Sequence, residues 1–302
     1  MVVNKVMNTS AMAAGSIHSA AIVIPTYNAG AGFEILLKQI DMQSLVPAHR
    51  LIIDSASTDY TAELAEAAGW QVVGIDHSQF SHGGTRQQAV ELLAVQENPP
   101  DIIIFLTQDV RMPRQDSLEK LVQVFEDTDI VAAYGRQRPH EGASIYAALD
   151  REFNYPAESR VKSLADVDEL GIKTVFFSDS FAAYRVEALR QIGGFPHINI
   201  CEDMYVAAKL VLAGHRIAYA AQAEVCHSHE PQMSGMWERY RQMGQFHKDN
   251  PWIGQSFGTA SREGIRLVCY QMKAIWQKRG LAGVLRMLCM NGIKLLAYKW
   301  PY

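Results

Sequence analysis

Cysteine is scarce in this 302-residue chain: four are present (Cys201, Cys226, Cys269, Cys289), and no two form a C-x-x-C pair. With 48% hydrophobic residues, a chain this long can bury a large core without covalent staples. The pattern therefore suggests neither a disulfide framework nor a structural zinc site, and it predicts a reducing, cytoplasmic compartment. Excess basic charge is missing too. The formal net charge is −4, which removes the general electrostatic reason to expect nucleic acid as a partner. Long uncharged apolar runs are also lacking. The opening stretch MVVNKVMNTSAMAAGSIHS has no h-region of a signal peptide, and no other segment reaches the roughly 18 uncharged apolar residues of a membrane span. Residues 1–19 are read as a flexible leader.

What is present is alternation. Continuous apolar runs at AAIVIPTY (20–27), RLIID (50–54), QVVGI and DIIIFL alternate with helical patterns over 32–42, YTAELAEAAG and GGTRQQAVELLAVQ. Ser57, Thr58 and Asp59 stand where helix caps belong, and Gly69 stands where a helix stops. Apolar strands alternating with helices predict an α/β fold with a mainly parallel sheet covered on both faces. Such sheets bind ligands at the carboxyl ends of their strands. Beyond about residue 135 the pattern becomes polar and aromatic. KTVFFSDSFAAYR reads as a further strand, and CEDMYVAAKLVLAGH as a helix ending at Gly214. The expected organisation is a ligand-binding half over 20–135, a catalytic half over 136–250 and a helical region over 251–302.

The charge is unevenly spread. From Arg262 onward eight basic residues face one acidic residue, Glu263, a net +7 that leaves −11 on the rest. Leu281, Val284, Leu285, Leu288, Leu295 and Leu296 share one helical face, with Arg286 and Lys294 opposite. A basic amphipathic region of this kind suits an anionic membrane surface and predicts peripheral attachment at the inner face of the cytoplasmic membrane.

Acidic residues stand at the predicted ends of strands or helices: Asp54 in IIDSASTD, Asp109 in FLTQDV, and Glu202 with Asp203 in CEDMYV. An acidic residue in such a place often only caps the next helix. Joined to EVCHSHE, they match a different need. A metal-dependent transferase requires hard ligands for an ion and a base to activate an acceptor hydroxyl. In order, VIPTYN, DSASTD, HGGTR, TQD, CED and HSH resemble the family 2 glycosyltransferases of GT-A fold over roughly residues 20–250. FSHGGTR, YGRQRP, FNYP and FSDSFAAYR are similar to segments of bacterial rhamnosyltransferases of surface polysaccharide biosynthesis.

The resemblance implies a mixed, mainly parallel Rossmann-like sheet with a helical C-terminal extension. It also implies an inverting transfer from a nucleotide diphosphate sugar, dTDP-L-rhamnose above others, to a saccharide acceptor, lipid-linked in O-antigen- or capsule-type synthesis. Asp54 and Ser57 would then serve the pyrimidine base, with Pro25, Thr26 and Tyr27 as a wall for base and ribose. Arg86 would reach a phosphate or sugar hydroxyl past Gly83 and Gly84, while Gln108 and Arg239 complete the substrate contacts. Asp109 takes the second place of the family's D-x-D motif, whose first place is Thr107 here. One carboxylate holds a divalent ion weakly. His227, with His229 as rival, is therefore expected to complete a Mg²⁺ or Mn²⁺ site together with diphosphate oxygens. Asp203 is the expected catalytic base, and Glu202 is expected to contact an acceptor hydroxyl or hold the loop.

Two other classes compete. NAGAGF after a strand, with Asp54 some 20 residues later, evokes a dinucleotide-dependent oxidoreductase. Its third glycine position is Ile35, however, and Pro25 and Tyr27 occupy the turn. A UDP-hexose donor on the same fold, or an inactive scaffold permitted by Thr107, are the remaining alternatives.

Overall fold

The computed structural model describes residues 19–227 and 233–302. The elements run in the order β1 (Ala20–Thr26), α1 (Gly32–Asp41), β2 (His49–Asp54), α2 (Thr61–Ala67), β3 (Gln71–Gly74), α3 (His82–Ala94), β4 (Ile102–Leu106), α4 (Ser117–Gln123) and β5 (Ile130–Arg138). There follow α5 (Ile145–Asn154), β6 (Arg160–Lys162), α6 (Val167–Leu170), β7 (Phe181–Arg185), α7 (Val186–Gln191), α8 (Glu202–Leu212), β8 (Arg216–Cys226), α9 (Met233–Asp249), α10 (Pro251–Phe257) and α11 (Ser261–Lys299). The α/β architecture expected from the alternation is present. KTVFFSDSFAAYR is strand only over its last five residues, because Gly171–Val175 winds into a 3₁₀ turn.

One eight-stranded sheet joins all the strands in the order β3-β2-β1-β4-β7-β5-β8-β6. The neighbours β3, β2, β1 and β4 are parallel, β7 runs antiparallel between β4 and β5, and β8 is parallel to β5. The expected boundary at 135/136 falls inside β5, so the two halves share a sheet rather than forming separate units. Side chains of β1 alternate between two cores: Ala21 and Val23 face one layer, and Ile22 and Ile24 the other. The first layer is closed by α3, α7 and α8, and the second by α1 and α4. All five residues of β4 are buried, as a strand covered on both faces requires.

The pairing of β5 with β8 is interrupted. Gly135 lies opposite Ala220 and Arg136 opposite Glu224, so β8 bulges between them. A Cβ at Gly135 would lie 2.2 Å from a Phe181 ring carbon and 2.6 Å from the Ala223 carbonyl oxygen, which reserves the position for glycine.

A third, smaller core lies under the C-terminal region, where Tyr146 and Leu149 of α5 meet Met236 of α9 and Ile275, Val284, Met287 and Met290 of α11. By length and composition α11 could cross a membrane, yet Gly280 (φ 59°) breaks it. Asn291 donates to Gln271 across the break at 3.0 Å, so the helix doubles back as a hairpin. Half-buried Asp150 of α5 pins both arms, accepting from Gln271 (2.6 Å) and Lys294 (3.2 Å). Of the leucine face read from the sequence, only Val284 is buried. Leu281, Leu285, Leu288, Leu295 and Leu296 point outward, and the buried side is built from smaller or more flexible residues.

Candidate active site

The topology gathers one edge. Because β1, β2, β4, β5 and β8 are mutually parallel in direction, their carboxyl ends lie together, and antiparallel β7 contributes its amino end. Thr26, Asp54, Asp109, Gln137, Asp179 and His227 all stand at or just beyond this edge.

At the β1–β2 end two loops clasp each other. Asp54 is buried and accepts from the Thr26 hydroxyl (2.7 Å), the Ser57 hydroxyl (2.6 Å) and the Ser57 amide (2.8 Å). Oδ1 takes two of these bonds and Oδ2 one, so Oδ2 keeps acceptor capacity for an incoming N–H. Ser57 also accepts from the Asn28 amide, and Asn28 Oδ1 accepts from the Thr58 amide, both at 2.8 Å. Asn28 and Ala56 have positive φ, the local cost of folding these short loops onto each other. Asp59 caps the chain before α2, accepting from the Thr61 amide and hydroxyl and the Gly30 amide, and these bonds hold its carboxyl below the ordinary carboxylate range. Tyr27 is 45% exposed and lies against His77, with ring centroids 4.4 Å apart and planes at 33°. The pair offers an apolar wall beside Asp54. Gln108, expected to meet substrate, is used otherwise: its amide accepts from the Tyr27 N–H (2.8 Å) and donates to the Tyr27 carbonyl (3.0 Å). It therefore sets the backbone that presents the Tyr27 ring.

The second group lies between β4 and β8. Arg111 and Cys226 exchange backbone hydrogen bonds (2.9 and 2.8 Å), and this short bridge draws the turn after β4 against the end of β8. As a result His227 Nε2 lies 3.2 Å from Asp109 Oδ2. The other ring nitrogen, Nδ1, is 2.8 Å from Gln137 Oε1. Nδ1 must carry the hydrogen there, so Nε2 turns a lone pair to the carboxylate unless it too is protonated. Either a proton on Nε2 or a cation shared by the imidazole and the carboxylate satisfies this contact. The residues present thus fit the expected divalent ion, held by one imidazole and one carboxylate. Among the described residues no group of three or more His, Cys, Asp or Glu could hold a metal, so Asp109 and His227 would share the ion with donor oxygens, water or residues outside that set. His229 lies outside the described residues. Thr107 brings a hydroxyl, not a carboxylate, and its oxygen is buried without a hydrogen-bond partner among the described residues.

The third group is a buried charge cluster. Arg86, expected to reach a phosphate or sugar hydroxyl, is only 2% exposed and pairs with Asp179 (3.1 Å) and Glu202 (3.0 Å). Gly83 and Gly84 serve packing rather than a diphosphate. A Cβ on Gly83 would lie 1.9 Å from the Pro196 carbonyl oxygen, and one on Gly84 2.7 Å from the His197 ring. Close approach of α3 to that loop seats Arg86 in the interior. Glu202 is likewise committed to Arg86 and does not reach out to an acceptor. Asp203, the next residue, is half-buried in the first turn of α8, behind Cys201 in a left-handed conformation (φ 60°). Its Oδ1 accepts from the Met204 amide at 2.7 Å. One guanidinium faces three carboxylates here, too few positive charges to let all three ionise easily. Burial, then Glu202 and Asp179, push the Asp203 carboxyl well above the ordinary carboxylate range. Burial raises Asp179 in the same way, against the pull of Arg86, while Tyr184 donates to it at 2.5 Å. Arg239, on the exposed side of α9, lies within electrostatic reach of His82 and Cys201 and so faces this cluster.

Asp179, His77 and Gln137 were not assigned roles from sequence. Asp179 and Gln137 lie in FSDSFAAYR and YGRQRP, segments already singled out, but nothing local reveals their partners. His77 carries no motif signal.

Comparison with known proteins identifies the family and the fold. Residues 21–193 match the family described as glycosyl transferase family 2. The chain is 42% identical to the O-antigen chain rhamnosyltransferase RfbN of Salmonella typhimurium over 92% of this chain and 88% of that protein. It is 40% identical to the O-antigen chain rhamnosyltransferase WbaN of Salmonella anatum, over 93% and 88% respectively. Among solved structures, the mannosyltransferase PcManGT of Pyrobaculum calidifontis, in complex with GDP-Man and Mn²⁺, superposes with TM-score 0.62 at 17% identity, covering 92% of this chain and 85% of that one. The fold is thus GT-A, the oxidoreductase alternative is set aside, and the chain belongs to glycosyltransferase family 2.

Proposed function

We propose that this glycosyltransferase moves L-rhamnose from dTDP-L-rhamnose, with inversion, onto a lipid-linked saccharide in the assembly of a surface polysaccharide. The similarity to two O-antigen chain rhamnosyltransferases supports the donor and the pathway class. The observation that supports the chemistry is the gathering of the buried Asp54 carboxylate, the Asp109–His227 contact and a carboxylate of raised proton affinity, Asp203, at one side of the sheet. Asp54 accepts the imide N–H of the thymine ring, held in place by Thr26 and Ser57. Tyr27 and His77 cover its face. Asp109 and His227 would hold a divalent ion with the donor's diphosphate oxygens, and the imidazole ligand favours Mn²⁺ or tolerance of both Mn²⁺ and Mg²⁺. When bound, that ion supplies Lewis-acid stabilisation of the leaving diphosphate. Asp203 takes the proton of the acceptor hydroxyl as the new C–O bond forms and the bond to phosphate breaks. Its raised proton affinity makes it a stronger base than a solvent-exposed carboxylate. Arg86 and Glu202 hold α8, and so Asp203, in place.

The C-terminal hairpin supports attachment to an anionic membrane surface. Ile265, Met272 and Trp276 on one arm and the five outward leucines on the other are exposed, and Arg262, Arg266, Lys273, Lys278, Arg279 and Lys299 are exposed on the same hairpin. Such attachment would bring the site to a lipid-linked acceptor. Comparing hydrolysis and transfer with dTDP-rhamnose, UDP-glucose, UDP-galactose and UDP-GlcNAc, with and without Mn²⁺, tests the donor. Faster turnover of any UDP-hexose overturns the rhamnose assignment.

A further inference from the structure

Gln137 occupies the end of β5, where the bulge in β8 re-aims the pairing, and it is 2% exposed. Its amide is committed on every side seen here. Oε1 accepts from Arg151 (2.8 Å), Nε2 donates to the Ser178 hydroxyl (2.7 Å), and Oε1 also faces His227 Nδ1 (2.8 Å). A guanidinium has donors only, so the atom facing Arg151 must be the amide oxygen. That settles which way the amide points, and the choice passes on to the ring. Nδ1 of His227 meets an acceptor and holds the hydrogen, which leaves Nε2 to face Asp109.

We propose that Gln137, oriented by Arg151 and Ser178, is a positioning residue that fixes the His227 tautomer with its Nε2 lone pair directed at the ion site. The inference rests on the reading of Asp109 and His227 as ion ligands. A carbonyl oxygen behind a metal-ligating imidazole both orients the ring and raises its basicity, and losing such a partner commonly costs about 10–100-fold in metal affinity. Without Arg151 the amide is free to turn over. Nε2 would then donate to Nδ1 and move the ring hydrogen to the nitrogen that should bind the ion. The chain of contacts thus makes Arg151 of α5, acting through Gln137, a determinant of ion binding.

Two measurements test this on the full-length protein. The first is Mn²⁺ affinity by electron paramagnetic resonance in saturating dTDP, for wild type, His227→Ala, Gln137→Met, Gln137→Glu and Arg151→Met. The expected result is a ~10–100-fold loss in Gln137→Met, a smaller loss in Arg151→Met, and near-normal affinity in Gln137→Glu, whose carboxylate still accepts from both neighbours. The second is the ring ¹⁵N spectrum of the metal-free protein, with the His227 signal identified by its loss in His227→Ala. Wild type should show the hydrogen on Nδ1, and Arg151→Met should shift the population to Nε2. Unchanged Mn²⁺ affinity in His227→Ala sinks the ion-ligand reading itself. A loss in His227→Ala with none in folded Gln137→Met, or a wild-type tautomer with hydrogen on Nε2, overturns the role of Gln137 alone. Should Gln137→Met fail to fold, the tautomer in wild type and Arg151→Met decides.

Discussion

Replacing Arg86 by methionine keeps much of the side-chain volume and removes a guanidinium that pairs with two carboxylates. All three side chains are nearly inaccessible, at 3% for Arg86, 2% for Asp179 and 8% for Glu202. Removing one partner from a buried ion pair costs about 3–5 kcal/mol, mostly because the remaining charge is stranded. At about 2 °C per kcal/mol for a large domain, the midpoint of thermal unfolding should fall by ~6–10 °C. The stranded groups can escape only by keeping protons, which gives the loss a pH dependence of known sign. Without Arg86 the folded-state pKa values of Asp179 and Asp203, already raised by burial, rise further above their unfolded values. Their contribution to stability is then fully present below the ordinary carboxylate range and is lost as pH rises through the raised values. The deficit relative to wild type should be small at about pH 5 and grow as pH rises through and beyond about 7, where Asp179 ionises beside Arg86 in the wild type, and so be clearly larger at about pH 8. Circular dichroism melts at both pH values measure it, and adding Asp179→Asn and Glu202→Gln should recover most of the loss. A deficit below ~2 °C at the higher pH, or one of equal size at both, would refute the picture of a charge-starved cluster.

Asp203→Asn should lower kcat by ~10²–10⁴ while dTDP binding by calorimetry stays unchanged, and retained turnover would remove Asp203 as the base. Because burial, with Glu202 next, raises Asp203, the acid limb of the wild-type pH–rate profile should lie well above the ordinary carboxylate range. Glu202→Gln should move that limb to lower pH, and an upward move would contradict the assignment. Leu285→Glu with Leu288→Glu, both on the outward face of the hairpin, should cut co-sedimentation with anionic vesicles by at least ~10-fold, since each apolar side chain is worth ~1.5–3 kcal/mol when buried. Activity on a water-soluble acceptor should be unaffected. Gly83→Ala should destabilise by ~1–3 kcal/mol in urea titration, because the added methyl meets the Pro196 carbonyl and must displace it.

Features written into contiguous residues were legible from sequence. The β1, β2 and β4 strands announce themselves by uninterrupted apolar runs, and Asp54 with Ser57 lies within a single loop whose chemistry is local. Asp109 and His227 were singled out by the resemblance, through TQD and HSH; their 3.2 Å approach is what the structure adds. Partnership at a distance was not legible. Gln137 and His227 meet across 90 positions, and Arg86 meets Glu202 and Asp179 only because α3 presses its glycines onto a loop far along the chain. The glycines were visible, but what they approach was not. Periodicity likewise shows that 281–296 has an apolar face without saying whether that face meets protein. Antiparallel β7 slips between β4 and β5 by a choice of partner that no strand pattern encodes.

The short bridge between Arg111 and Cys226 bears on the order in which the protein matures. The two loops that meet around Asp54 follow β1 and β2 and can clasp each other as soon as the early strands pair. Asp109 acquires His227 only after β8, the last of the described strands, has docked alongside β5 across a long loop closure. On the proposed roles of Asp54, Asp109 and His227, nucleotide recognition would precede ion competence during refolding. Manganese binding in the presence of dTDP becomes a late clock for completion of the sheet, one that a partly assembled chain able to hold the nucleotide would not yet have started.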